Sequence, residues 1–322
     1  MPHSLSPTPL NLKRRIGLLV ARLIMAFFVL LNRLRPSPSG SEAVSHHRYG
    51  ADPAETLGHI PRRAGSPERA PIVFIHGGGW IVGNKALYTR ELLAFAEAGH
   101  PVFNLEYPVA PANPHPGILL SLLDALRWIR REHPSVDAVH LLGDSAGGNL
   151  AMMLGILCHN PHLITDLDGN PAADAPLRCL SAVSLYGILD RLSFLRTGFP
   201  GADLMLECYG GLAAFEENVG PELAITPMDL DFERHPPSFL IAGENDRLCE
   251  STRLCASRLA AGTGTVSSKI YPGEIHGFFS MSWRPHYAEL KADLLKFLEA
   301  HDALGLAATG ERGLHVDVEV RP

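Results

Sequence analysis

The chain has 322 residues, 46% hydrophobic and 19% charged, which supplies a large apolar core and argues against global disorder. Asp and Glu number 34 against 28 Lys and Arg, and the resulting net charge of −6 gives no electrostatic reason to expect a nucleic-acid partner. Five widely spaced cysteines (Cys158, Cys179, Cys208, Cys249, Cys255) form no C-x-x-C pair, so they suggest neither a zinc site nor a disulfide framework, and inert buried thiols are expected.

The first element is the apolar run from Ile16 to Leu31, preceded by Lys13-Arg14-Arg15. It begins like a signal peptide, but the chain continues as Asn32-Arg33-Leu34-Arg35-Pro36, which lacks a small-x-small cleavage site. The run falls short of the ~20 residues a spanning helix wants, and Arg22 interrupts it. On a helix turning about 100° per residue, Arg15, Arg22 and Arg33 align within about 20° of one another. A narrow arginine stripe on a broad apolar helix suits an interfacial anchor with guanidinium groups among lipid headgroups. The competing expectations are a helix packed as a cap over the protein's own site, its arginines facing solvent, and a single-pass anchor. Pro36-Ser37-Pro38-Ser39-Gly40 reads as a linker, so residues 1–40 form a helix and its tether. No N-x-[ST] acceptor occurs, which favours a cytosol-facing catalytic body.

From residue 41 to about 305 strand-like runs alternate with helical patterns. Strands are expected at Pro71–Ile75, Pro101–Leu105, Ala138–Leu142, Leu180–Tyr186, Ser238–Ala242 and Ser267–Tyr271. Helices are expected at Tyr88–Ala98, Ile118–Arg131, from Ser145 onward, Ser251–Ala261 and His286–Glu299. Such alternation predicts an α/β fold, with a mostly parallel sheet covered by helices on both faces. The interval of about 190–226 carries no strand signal and is expected to form, with the N-terminal segment, a small helical cap. Residues 306–322 read as a polar tail.

Three sites along this body carry chemistry. Gly143-Asp144-Ser145-Ala146-Gly147 has the G-x-S-x-G form and lies directly between a strand and a helix. A nucleophilic serine must sit on a sharp, strained turn to project its hydroxyl beyond the sheet, and side chains two residues either side would collide with that turn. His76-Gly77-Gly78-Gly79-Trp80 follows the Phe74-Ile75 strand end. Consecutive glycines let backbone N–H donors approach a developing oxyanion, and Ala146 N–H at the helix start supplies a further donor. His76 and Trp80 are expected to be scaffold, with His76 fixing the loop through a backbone hydrogen bond.

Sixteen histidines leave the base to be chosen by position. His276 follows the last strand through Pro272-Gly273-Glu274-Ile275, and Asp246 follows the Phe239–Ala242 strand through Gly243-Glu244-Asn245. Both therefore reach the C-terminal edge of the sheet, where open α/β folds bind ligands. Ser145, Asp246 and His276 occur in the order used by the Ser…Asp…His hydrolases. His286 and Asp231 are the nearest competitors, and neither directly follows a strand.

With these pieces in place, the chain resembles the hormone-sensitive-lipase-like branch of the α/β-hydrolases, which includes arylacetamide deacetylases and microbial carboxylesterases. The matching segments are His76–Trp80, Gly143–Leu150, Gly243–Leu248 and Ile275–Phe278. The resemblance implies a triad of Ser145, Asp246 and His276, and an oxyanion hole from Ala146 and two of Gly77, Gly78 and Gly79, with Gly78 and Gly79 favoured. It also implies an ester substrate cleaved through an acyl-enzyme, with no cofactor or metal. Two departures fall in supporting structure: Pro108 replaces an arginine in Tyr107–Ala112, and Arg247 replaces the proline common after the aspartate. Acyl transfer and amide or formamide cleavage remain alternatives on this fold. A non-catalytic receptor is disfavoured by the presence of His276.

Overall fold

The computed structural model describes residues 10–168, 177–220 and 223–307. Among the described residues eight strands form one sheet: β1 (Ser45–Arg48), β2 (Thr56–Ile60), β3 (Ile72–Ile75), β4 (Val102–Leu105), β5 (Ala138–Asp144), β6 (Arg178–Leu185), β7 (Ser238–Gly243) and β8 (Val266–Tyr271). Their order is β1-β2-β4-β3-β5-β6-β7-β8, with β1 and β2 antiparallel and every pairing from β4 to β8 parallel.

The central strands are apolar without alternation because both faces are covered, and every residue of β3, β4, β5 and β7 is buried. Val73 and Ile75 join one core layer while Ile72 and Phe74 join the other. The first layer holds α3 (Gly117–Glu132), α4 (Ala146–His159) and α8 (Cys249–Ala260), and the second α2 (Thr89–Glu97) and α9 (Tyr287–Ala307). In α9, Leu290, Leu294 and Leu298 recur at four-residue spacing and are fully buried, which docks the helix on the sheet.

The expected strands and helices are all present. Strands β1 and β2 were not anticipated, since Ser-His-His-Arg carries no apolar alternation and the pair gains its place by antiparallel hydrogen bonding to β4. A short helix α5 (Pro161–Asp168) follows α4, and the 190–226 interval contains α6 (Arg191–Arg196) and α7 (Ala202–Gly210). Helix α9 continues to Ala307, past the expected end, and residues 308–322 of the anticipated tail lie outside the described residues. All five cysteines are free thiols, four buried and Cys158 partly so.

The N-terminal segment forms α1 (Leu12–Leu34), capped by Asn11, whose side chain accepts from Arg14 N. Arg14 pairs with Asp203 at 2.7 Å and Glu207 at 2.8 Å on α7, and Asn32 donates to Ala86 O at 3.0 Å. These contacts hold α1 at both ends against the body. Only Leu18 is buried along its length, and a wide arc including Ile16, Leu23, Ile24, Phe27 and Leu31 is exposed. Arg15, Arg22 and Arg33 are exposed as well. A cavity of about 570 Å³ lies between Arg22, Met25 and Val29 of α1 and the Ile81–Lys85 loop.

Candidate active site

Strand β5 ends at Asp144 and α4 starts at Ala146, leaving Ser145 alone on the turn at φ 53° and ψ −121°. That conformation is strained for a side-chain-bearing residue and throws the hydroxyl clear of the sheet edge. The flanking glycines are steric necessities: a Cβ on Gly143 would meet Gly147 O at 2.2 Å, and one on Gly147 would meet Ile75 O at 2.1 Å.

The loop after β8 brings His276 Nε2 to 3.0 Å from Ser145 Oγ, and the loop after β7 brings Asp246 Oδ2 to 2.8 Å from His276 Nδ1. A carboxylate only accepts, so Nδ1 carries the proton and Nε2 turns its lone pair on the serine hydroxyl. The second Asp246 oxygen accepts from Leu248 N at 2.9 Å, which fixes the carboxylate plane. The Asp246 side chain is fully buried while that of His276 is 30% exposed. Tyr186 and Phe199 stand edge-on to the imidazole, with ring centroids at 4.9 and 5.1 Å. Of the two competitors, His286 is bound to Glu289 and Asp231 is exposed.

The three loop glycines differ in their hydrogen bonding. Gly77 N donates to Asp144 Oδ1 at 2.7 Å, so Gly77, one of the candidate oxyanion donors, has its amide committed elsewhere. Among the described residues, the amides of Gly78, Gly79 and Ala146 donate to no protein acceptor. Gly78 has φ 125°, and a Cβ there would meet Val82 O at 1.9 Å, so only glycine fits.

Residues inside and outside the motifs hold this loop, His76 through the expected backbone hydrogen bond. Asp144 accepts from Gly77 N and, through Oδ2, from the Tyr88 hydroxyl at 3.0 Å. Burial pushes its carboxyl up to about 6, against the opposing pull of those two donors. His76 is fully buried, with Nδ1 2.8 Å from Gly77 O and Nε2 2.9 Å from Glu106 Oε1. Burial pulls the His76 pKa down, but the Glu106 carboxylate and the Gly77 carbonyl outweigh it and the net shift is upward. Glu106 also accepts from Lys85 N at 3.0 Å, and the Tyr107 hydroxyl donates to His76 O at 2.7 Å. Trp80 donates to Asn149 Oδ1 at 3.3 Å, joining the loop to α4.

A second brace joins the two loops bearing Asp246 and His276. The buried Glu274 accepts from Arg284 Nε at 2.6 Å and His286 N at 3.0 Å, while its carbonyl accepts from Asn245 N at 2.9 Å. Arg247 donates to the carbonyl of Gly198 in the 190–226 segment, a bond that proline at this position could not make.

The sheet, the strained serine turn and the glycine loop are the features of an α/β-hydrolase. A family profile for the alpha/beta hydrolase fold matches residues 72–280, and the chain belongs to that family. It is similar to an acetyl esterase of Salmonella paratyphi A, 27% identical over 240 residues covering 70% of this chain and 71% of that one. It is also similar to carboxylesterase NlhH of Mycobacterium tuberculosis, 27% identical over 224 residues covering 66% and 67%. Among solved structures, esterase B of Lactobacillus rhamnosis shares the fold at TM-score 0.75 and 21% identity, covering 93% of this chain and 99% of that one.

Proposed function

We propose that the protein is a carboxylic-ester hydrolase with Ser145 as nucleophile, His276 as general base and acid, and Asp246 as the group that orients the imidazole. The observation that carries this reading is the unbroken chain of hydrogen bonds from Asp246 through His276 to Ser145 Oγ. Ser145 Oγ attacks the ester carbonyl carbon while His276 Nε2 takes its proton. The carbonyl oxygen becomes an oxyanion held by the amides of Gly78, Gly79 and Ala146, in a site at the positive end of α4. Collapse of the tetrahedral intermediate expels the alcohol, which leaves with the proton from His276. Water then attacks the acyl-enzyme with His276 again as base, and the acid is released. The names of the relatives support starting with short acyl groups. Hydrolysis of p-nitrophenyl acetate by the wild type and by Ser145→Ala tests the reading directly.

A second part of the proposal concerns the surroundings of this centre. Helices α6 and α7, with α1 laid on α7, act as a cap that shapes the pocket, and Phe199 against His276 supports this placement. Helix α1 is long and apolar enough to cross a membrane. Its contacts with the body at both ends favour a helix lying in the interface instead. The exposed apolar arc would enter the acyl region, and Arg15, Arg22 and Arg33 would reach anionic headgroups.

A further inference from the structure

At the sheet edge opposite Ser145, three residues far apart in sequence converge. His100 lies two residues before β4, His140 is the third residue of β5, and Asp302 lies near the end of α9. Their ligand-capable atoms all lie within 4.8 Å of one another. Both histidines are fully buried.

The hydrogen bonds around this cluster fix which atoms face inward. His100 Nδ1 lies 2.8 Å from Ala70 O, which only accepts, so Nδ1 carries a proton and Nε2 is directed at Asp302. Nε2 is too far from the carboxylate for an ordinary hydrogen bond. It stands 3.9 Å from Asp302 Oδ2, and both atoms are buried without a hydrogen-bond partner. A nitrogen lone pair and a carboxylate oxygen face each other across that gap, with Arg69 Nη1 3.7 Å from the oxygen on one side, and a cation seated between them would satisfy both. His140 completes the set, with Nε2 3.0 Å from Asp302 Oδ1 and Nδ1 2.8 Å from Ser181 Oγ. A serine hydroxyl accepts as readily as it donates, so Nδ1–H can turn to Ser181 and free Nε2 as a ligand.

We propose that His100, His140 and Asp302 form a divalent transition-metal site, for zinc or a similar ion, that ties the end of α9 to the starts of β3, β4 and β5. Two imidazoles and one carboxylate are a donor set such ions take, and the contacts of His100 with Ala70 O and of His140 with Ser181 supply the outer hydrogen bonds that orient metal-bound imidazoles. Ligand distances of about 2.0–2.1 Å require the gap to contract slightly around the ion. Ala70 N, which donates to Asp302 Oδ1 at 3.0 Å, holds the carboxylate while Oδ2 stays available. Arg69 Nη1 lies 3.7 Å from Oδ2 and Arg69 Nη2 2.9 Å from Glu299, so the guanidinium has a second acidic partner when the ion is bound. The site lies across the sheet from the ester chemistry and acts on stability, as any ligand of the native state does.

The test is zinc binding by full-length protein treated with chelator and dialysed, measured by competition with a chromophoric chelator and by the thermal midpoint. The expected result is one zinc per chain and a midpoint that rises saturably with zinc. His100→Asn keeps an amide donor to Ala70 O and removes only the inward nitrogen, so it should weaken binding at least tenfold; Asp302→Asn should do the same. His276→Ala should leave binding unchanged. An anomalous-scattering map of zinc-soaked wild-type crystals, needing no variant, should place the ion between His100 Nε2 and Asp302. No zinc uptake by the wild type, uptake that survives His100→Asn, or uptake that disappears in His276→Ala would each overturn the proposal.

Discussion

The Gly77 amide donates to Asp144 Oδ1 at 2.7 Å, so the loop carrying the proposed oxyanion donors is fastened to the residue immediately before Ser145. Tyr88 holds the other carboxylate oxygen at 3.0 Å. Ser145 and the proposed oxyanion donors are thereby tied together, which is what transition-state stabilisation by fixed dipoles requires.

Asp144→Ala should release this coupling without touching the substrate. The expected loss is roughly 10- to 100-fold in kcat with little change in KM, because a small misplacement of oxyanion donors costs about that much. Asp144→Asn retains an acceptor for Gly77 N and should recover part of the loss. Steady-state kinetics on a short-chain ester check both, and an equal fall for the two variants would show that the negative charge matters more than the hydrogen bond.

Replacing Asp246 by Asn should preserve the fold and lower kcat about 10⁴-fold, since an amide can present its N–H to Nδ1 and stabilise the wrong tautomer. Asp231→Asn should leave kcat close to wild type, as Asp231 is an exposed residue outside the hydrogen-bonded chain. Kinetics of the two variants side by side distinguish them.

The His76–Glu106 pair makes a prediction about pH. The His76 pKa is raised in the fold, so its contribution is complete below the ordinary histidine value of ~6.5 and fades as pH rises through the raised value. Burial pushes the Glu106 pKa up, but His76 and the Lys85 amide pull it down further, so its contribution is present above the ordinary ~4.3 and fades as pH falls. Glu106→Gln should thus cost about 3 kcal/mol between roughly pH 5 and 6.5, with the deficit narrowing as pH climbs. Unfolding curves of both proteins across pH measure it. A deficit that does not vary with pH would mean the pair acts as neutral hydrogen-bond partners.

Much of this site was legible because its chemistry is local in sequence: Gly143–Gly147 and His76–Trp80 each sit on one turn after one strand. Asp246 and His276 were found by topology, since residues just beyond the C-terminal ends of β7 and β8 must reach the edge that carries Ser145. What escaped was non-local. No spacing rule links Gly77 to Asp144, His76 to Glu106 or Glu274 to Arg284, and the first of these bonds is what sets Gly77 apart from Gly78 and Gly79. Strands β1 and β2 were missed because register with β4, and not an apolar pattern, defines them.

The outward arc of α1 gives a prediction on location. Wild-type protein should float with anionic liposomes, and Leu23→Glu/Phe27→Glu should not, while both hydrolyse a water-soluble short ester equally. High salt should loosen the wild type only partly, because each of Arg15, Arg22 and Arg33 adds only about 1 kcal/mol of attraction to anionic lipid and the apolar arc binds without charge. If deletion through Arg35 changes KM and acyl-chain preference in a protein that never floats, α1 serves as cap alone.

The central claim is that Ser145 is the nucleophile, and covalent labelling tests it most directly. A fluorophosphonate incubated with the wild type, followed by peptide mass spectrometry, should place one phosphonyl group on Ser145, with loss of ester hydrolysis in proportion to labelling. The Ser145→Ala protein should take up no label and lose several orders of magnitude in turnover while unfolding at the same temperature as the wild type. Label on a different serine, or near-normal turnover by Ser145→Ala, would contradict the mechanism.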